Sequence, residues 1–183
     1  MNSSQFMLLS SLGFAVMGAF VKVAGSLEIP LLQIIAMRAL ISVFLSAASI
    51  FRARVNPFGT HRLLLLTRGI VGFLSLACVF YALLHLPFAV ATFLQYLYPV
   101  FTTALAWIIL KEVPDRATVI CVLLSLCGLV AILTPVIFDL HRIGVPTIAI
   151  LAGLGGALGS GLAYTIVRKL ASREHPDVIV LYF

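Results

Sequence analysis

LGFAVMGAFVKVAGSLEIPLLQIIAM (residues 12–37) returns without a gap as LGSGLAYTIVRKLASREHPDVIVLYF (residues 158–183), at an offset of 146. Leu12, Gly13, Val21, Ser26, Glu28 and Pro30 recur as Leu158, Gly159, Val167, Ser172, Glu174 and Pro176, and Lys22 is answered by Arg168. Six identities in 26 positions are weak by count alone. Their distribution says more, because Ser-x-Glu-x-Pro joins one apolar stretch to the next in both copies. With five membrane helices between one copy and the next, the second must thread the bilayer in the opposite sense, which predicts inverted repeats.

The surrounding composition supports a lipid setting. Hydrophobic residues make up 62% of the 183 and charged residues 10%, more apolar surface than one water-soluble core can bury. A run of about 20 apolar residues crosses the hydrocarbon as a helix. Such runs are read at 6–24, 31–51, 63–84, 88–110, 117–138 and 147–167, and a seventh begins at Val178. Pro30, Pro57, Pro87, Pro114, Pro146 and Pro176 sit in or beside connectors, where a missing N–H is tolerated, and only Pro99 and Pro135 fall within spans. Residues 1–5 carry no basic side chain and no small-residue cleavage site follows the first apolar run, so a retained helix is expected rather than a signal peptide.

Net charge is +6, yet the twelve basic residues form no cluster interleaved with aromatics, and no nucleic-acid partner is expected. They report orientation instead. The connectors at 52–62, 111–116 and 168–175 hold eight Lys and Arg, and the alternate connectors hold one, Arg142. This asymmetry predicts a cytoplasmic N-terminus in a cytoplasmic (inner) membrane. Cys78, Cys121 and Cys127 lie in apolar spans without His partners and are expected to be small buried hydrophobes.

Short connectors force antiparallel packing of neighbouring helices. Small residues recur as stripes: Gly155 and Gly159, Gly156 and Ser160, and Ala157 and Gly161 on the sixth span, and Gly69, Gly72 and Ser75 on the third. Packing within the chain is the expected use, with a homodimer face as the alternative, since the stripe occurs on more than one helix.

Arg38 is the sharpest candidate for function. It stands eight residues past Pro30, about 12 Å into a core about 30 Å thick. A charge there costs at least about 2.5 to 3.5 kcal/mol unless it pairs, snorkels or faces water. Two readings stand level: a cavity-facing residue, or an arginine tying two helices through backbone carbonyls. On the fourth span, Thr92, Gln95, Pro99 and Thr102 fall near one face with Tyr98 beside it. Pro99 removes the bond to the carbonyl of residue 95, so the helix is expected to kink and to line a hollow or to pack against its neighbours. Tyr81 joins the cavity-lining candidates. Lys22 and Arg68 are read as snorkelling toward headgroups. Glu112 opposes the dipole at the end of the fourth helix, with Lys111 or Arg116 in reach to compensate it. These three, with Gly155, Gly159 and Tyr164, form the gating or structural candidates. Trp107 and Tyr182 fit an aromatic belt.

No Gly-rich phosphate loop ending in Lys-Ser or Lys-Thr is present, so nucleotide hydrolysis by this chain is not expected. Leu158-Gly159-Ser160-Gly161 lacks the first glycine of a serine elbow, and the acids and histidines scatter through connectors. Neither catalysis, a cofactor nor a metal is expected.

In order and spacing, the chain resembles the EamA-like members of the drug/metabolite transporter superfamily. The resemblance rests on Arg38 early in helix two, Arg68-Gly69 opening helix three, Phe80 to Leu83, Pro87 to Ala91, Pro99, Lys111-Glu112 and Gly128 to Val130. It implies ten helices in two inverted five-helix repeats around a central cavity. The chain is accordingly read as an all-α membrane protein, a helical bundle with six transmembrane helices plus the start of a seventh. Residues 1–138 would form the first repeat and 147–183 the start of the second. Phe183 answers Met37, one residue before the counterpart of Arg38, so a fragment of a longer protein is expected. The expected function is secondary transport of a small organic metabolite (amino acid, nucleotide-like or drug-like) by alternating access, with the solute and the lipid bilayer as partners. Arg38 would orient an anionic group or gate the cavity. The alternatives are a six-helix substrate-binding subunit of a larger uptake complex and, with least support, an intramembrane enzyme.

Overall fold

The computed structural model describes residues 3–111, 113–143, 146–171 and 173–183. All regular structure among them is helical: α1 (Ser3–Ser26), α2 (Leu31–Ala53), α3 (Arg62–His85), α4 (Phe88–Gln95), α5 (Tyr98–Leu105), α6 (Arg116–Ile143), α7 (Thr147–Leu170) and α8 (Pro176–Leu181). Prolines set the starts. Pro30, Pro87 and Pro146 are the residues before α2, α4 and α7, and Pro176 opens α8, each where the absent N–H has no partner to lose.

The fourth apolar run is not one continuous helix. It breaks at Tyr96 and Leu97, restarts with Pro99 in the first turn of α5, and ends in a π-helical turn, Ala106–Leu110. Leu97 carries the chain across the break, accepting from the N–H groups of Val100 and Phe101. The α-helix widens to i→i+5 spacing where its last turn meets Lys111, which takes a left-handed φ of 57°.

Helix α3 is the axis of the bundle and packs most extensively on α7, which in turn covers α4 and α5, while α8 lies on α2. Two apolar cores form at opposite ends of α3. One gathers Phe80, Leu83 and Leu86 with Val21, Ile35, Leu94 and Ala149, and the other gathers Leu65 with Ile50, Leu170, Val178 and Ile179. The outer surface is equally apolar: Phe44 is 75% exposed and Leu63 83%. Five helical stretches are long and apolar enough to span a bilayer, among them Phe88–Leu110 taken across its break. Lipid on the outside removes the cost of such exposure. The chain is an integral multi-pass membrane protein.

Small residues set the closest helix approach. A Cβ on Gly156 would lie 3.0 Å from the Val79 nitrogen, one on Gly159 would lie 2.9 Å from Ser75 Cβ, and one on Gly161 would lie 2.9 Å from the Thr102 nitrogen. Ser75 stitches the α3–α7 seam by donating its hydroxyl to the Gly156 carbonyl at 2.7 Å, with Ser160 Oγ at 2.8 Å. Gly155 does not share in this packing. It faces open space, because one residue from Gly156 is about 100° around the helix, on the side away from the seam.

The two Ser-x-Glu-x-Pro junctions lie at opposite ends of α3. Lys22 donates to the carbonyls of Leu83, Leu84 and Leu86 at 2.9, 3.2 and 2.7 Å, which places the α1–α2 junction beside the C-terminus of α3. This corrects the snorkelling expectation: the ammonium caps carbonyls that have no intrahelical partner, at the negative end of the helix dipole. At the other end, the Glu174 carboxylate accepts from the Thr60 N–H, the Thr60 hydroxyl and the His61 N–H, at 2.7, 2.5 and 2.6 Å, on the loop that leads into α3.

Those bonds, the Thr60 hydroxyl first and the His61 N–H next, hold the Glu174 pKa below the ordinary carboxylate value. A depressed folded value means the tie is fully present above the ordinary carboxylate pKa and is lost as pH falls through the lowered one. With a reporter cysteine at Leu65→Cys, fully buried beneath Gly59 of that loop, thiol labelling at fixed thiolate fraction is expected to speed up as the medium is acidified. In Glu174→Gln it should already be fast and insensitive to acid. Equal, pH-independent labelling in both backgrounds would rule the tie out.

Candidate functional site

Between the two cores, α1, α2, α3, α4 and α7 line a half-open cavity of about 340 Å³, near the lower bound of small-molecule sites. Its wall is mostly apolar, with Phe14 and Met17 from α1, Val79 and Phe80 from α3 and Phe88 from α4. The polar groups are Arg38 from α2, Arg68 and Ser75 from α3, Thr92 and Gln95 from α4, Tyr96 at the break, and Ser160 and Tyr164 from α7. A second hollow of about 280 Å³ opens on the other side of Arg38 and Phe183, between α2 and α3.

Arg38 lines both hollows. Its guanidinium stands over two rings, Phe80 at 5.7 Å and Phe183 at 5.4 Å, and its Nη1 is buried with no hydrogen-bond partner. Of the two sequence readings the structure adopts the cavity-facing one, since no backbone carbonyl receives that donor. Arg68 does not snorkel. α3 starts at Arg62, so Arg68 lies six residues inside the helix. Its side chain turns inward over Phe183 at 4.4 Å, with Nε and Nη1 buried and unpartnered. Gly72, one turn on, leaves room for it: a Cβ there would meet Arg68 Nη1 at 2.3 Å.

On the broken span, Gln95 faces the cavity with its Oε1 buried and unpartnered, and Thr92 lines it while its hydroxyl bonds back to the Phe88 carbonyl at 2.7 Å. Tyr98 sits one layer behind, stacked on Tyr164 at 5.1 Å between centroids, so it touches the cavity through that ring. Pro99 and Thr102 form the first turns of α5 and not the wall. Thr102 bonds the Tyr98 carbonyl at 2.8 Å and backs against Gly161. The kink rotates this half of the span off the face that helical spacing assigned to it. Tyr81 also misses the cavity and stacks on His85 at 4.1 Å, because one residue from Phe80 is about 100° around the helix.

Glu112 lies outside the described residues. Tyr182 donates its hydroxyl to the Phe58 carbonyl at 3.2 Å, while Trp107 is 58% exposed on the outer surface. Cys121 and Cys127 are exposed on α6 and Cys78 is half-buried, so the expectation of burial fails for the first two. Phe80 and Phe183 are wall residues that no sequence expectation names as such, and Ser75 faces the cavity as well as the α3–α7 seam. The small-residue step from Gly72 to Ser75 was the available signal.

A bundle of apolar helices, one of them broken, around a small cavity with two inward arginines defines a polytopic helical membrane protein. The EamA-like transporter family model matches residues 3–134, and the chain belongs to that family. Over 176 residues it is 31% identical to the pseudopaline exporter CntI of Pseudomonas aeruginosa, covering 96% of this chain and 60% of that protein. An uncharacterized transporter of Helicobacter pylori is 25% identical over 185 residues, covering 96% of this chain and 58% of the relative. An uncharacterized membrane protein of Saccharomyces cerevisiae, YMR253C, is 33% identical over 143 residues, covering 69% and 34%. The chain therefore spans 60% or less of the length of these relatives. No solved structure matches it.

Proposed function

We propose that the chain serves in a secondary transporter that carries a small organic solute across the cytoplasmic membrane by alternating access. The observation that carries this reading is the cavity itself: it lies between cores at the two ends of α3, is bounded by a helix broken beside it, and presents unpartnered polar atoms of Arg38, Arg68 and Gln95. A half-open cavity between two packed cores, beside a discontinuous helix, is the arrangement a midplane transport site uses.

The placement of the two Ser-x-Glu-x-Pro junctions at opposite ends of α3 supports inverted repeats, with residues 1–138 as the first and 147–183 opening the second. The Lys and Arg asymmetry supports a cytoplasmic N-terminus, which puts the Glu174 tie on the cytoplasmic face and Lys22 near the external one. A tie at one end that opens while the other end closes is the motion alternating access needs, and the α3–α7 seam of glycines and serines permits helices to slide at close range.

Cysteine accessibility tests the mechanism. In full-length protein freed of native thiols, Gln95→Cys is expected to react with a membrane-impermeant thiol reagent from either face of oriented vesicles. Reaction from one face alone, under every solute and ion condition, would contradict alternating access.

A further inference from the structure

We infer that the cavity binds an amphipathic organic carboxylate through Arg38 and Arg68 acting together, which deepens the transporter reading and rests on it for the site's purpose. The two guanidiniums come from different helices, yet both stand on the ring of Phe183, at 5.4 and 4.4 Å. They therefore belong to one electrostatic site. An aromatic face attracts a cation but accepts no N–H hydrogen bond in the guanidinium plane. Nη1 of Arg38 and both Nε and Nη1 of Arg68 remain buried without partners, and among the described residues no carboxylate pairs with either side chain.

Two positive charges in a largely apolar cavity are costly unless something neutralises them. Water can satisfy the orphan N–H groups but leaves the charge in place. A carboxylate does both, and its two oxygens match the planar fork of a guanidinium. The rest of the wall selects the remainder of the ligand. Phe14 and Phe88 offer an apolar bed, and the unpartnered Gln95 Oε1 awaits a neutral donor such as a hydroxyl or amide N–H. An organic acid with an aromatic or branched apolar body and one such donor fits these features together.

The test compares acids with their uncharged amides on full-length protein in detergent. Phenylacetate and phenylsuccinate, with phenylacetamide and phenylsuccinamide as controls, are titrated while thermal unfolding is followed, since a ligand that binds the folded state raises Tm. At least one acid is expected to bind about tenfold or more tighter than its amide. That preference should vanish in Arg38→Gln and in Arg68→Gln and persist in weakened form in Arg68→Lys. Amides that bind as well as acids, acids that do not bind, or a preference that survives both Gln substitutions would each overturn the inference. Should the Gln variants not fold, the acid-against-amide comparison on the natural protein decides alone. Failure of the transporter reading is separable: acid-selective binding without flux of the bound acid in proteoliposomes removes transport and keeps the site. Flux of an uncharged solute that ignores Arg38→Gln does the reverse.

Discussion

Gly161→Leu is expected to yield no monodisperse protein, and Gly161→Ala a protein destabilised by about 1 to 3 kcal/mol, the usual cost of forcing atoms into a packed seam. The contact at Gly161 leaves no soft neighbour to move. A Cβ would lie 2.7 Å from Phe101 Cβ, 2.9 Å from the Thr102 nitrogen and 3.1 Å from the Phe101 carbonyl carbon, so the backbones of α5 and α7 must separate. Gly155→Ala is the control. It faces open space six residues earlier on the same helix, and alanine there should be neutral or stabilising by up to about 1 kcal/mol through helix propensity. Thermal unfolding monitored by size-exclusion in detergent checks both. Equal tolerance at Gly161 and Gly155 would show that the close approach does not exist.

Lys22→Met should cost about 2 to 3 kcal/mol, in the range of hydrogen bonds to a charged donor. The substitution keeps the apolar stem and removes only the ammonium, so its effect isolates the cap. Three carbonyls at the end of α3, those of Leu83, Leu84 and Leu86, lose their shared donor where Val21 and Leu86 are both buried. Lys22→Arg should recover part of the loss and Lys22→Gln less. A Met variant as stable as the natural protein in detergent unfolding would return Lys22 to the snorkelling role.

The difference between the Lys22 and Arg68 expectations and their observed places shows where sequence reading stops. Span limits were legible because proline marks them: the run read at 31–51 is the helix Leu31–Ala53, and that read at 63–84 is Arg62–His85. Arg38 was legible from depth alone, since a charge that far from either end must find a cavity or a partner. Lys22 and Arg68 sit close enough to helix ends that length permits two destinations. Which one they take depends on α3 ending beside α1 and on Phe183 lying over α3, facts of tertiary packing that no local pattern carries.

The broken span shows the same limit from the other side. Pro99 announced a kink, and Thr92 and Gln95 before it stand in the cavity wall as the helical spacing required. Beyond Pro99 that spacing no longer applies, and Thr102 turns against Gly161 while Tyr98 reaches the site only by stacking on Tyr164. Ser75 and Ser160 were visible as small residues, but their meeting at 2.8 Å is a property of the α3–α7 pair. A face is readable only as far as the helix that carries it is continuous, and a contact only once its second helix is placed.

Solute exchange through the cavity tests the central claim most directly. Proteoliposomes of full-length protein, loaded with a mixture of small metabolites and followed by mass spectrometry, are expected to exchange at least one solute saturably. Thr92→Trp, which fills the cavity from α4, should abolish that exchange while leaving the protein folded. Exchange that continues unchanged with the cavity filled, or no exchange by the natural protein, would contradict the account.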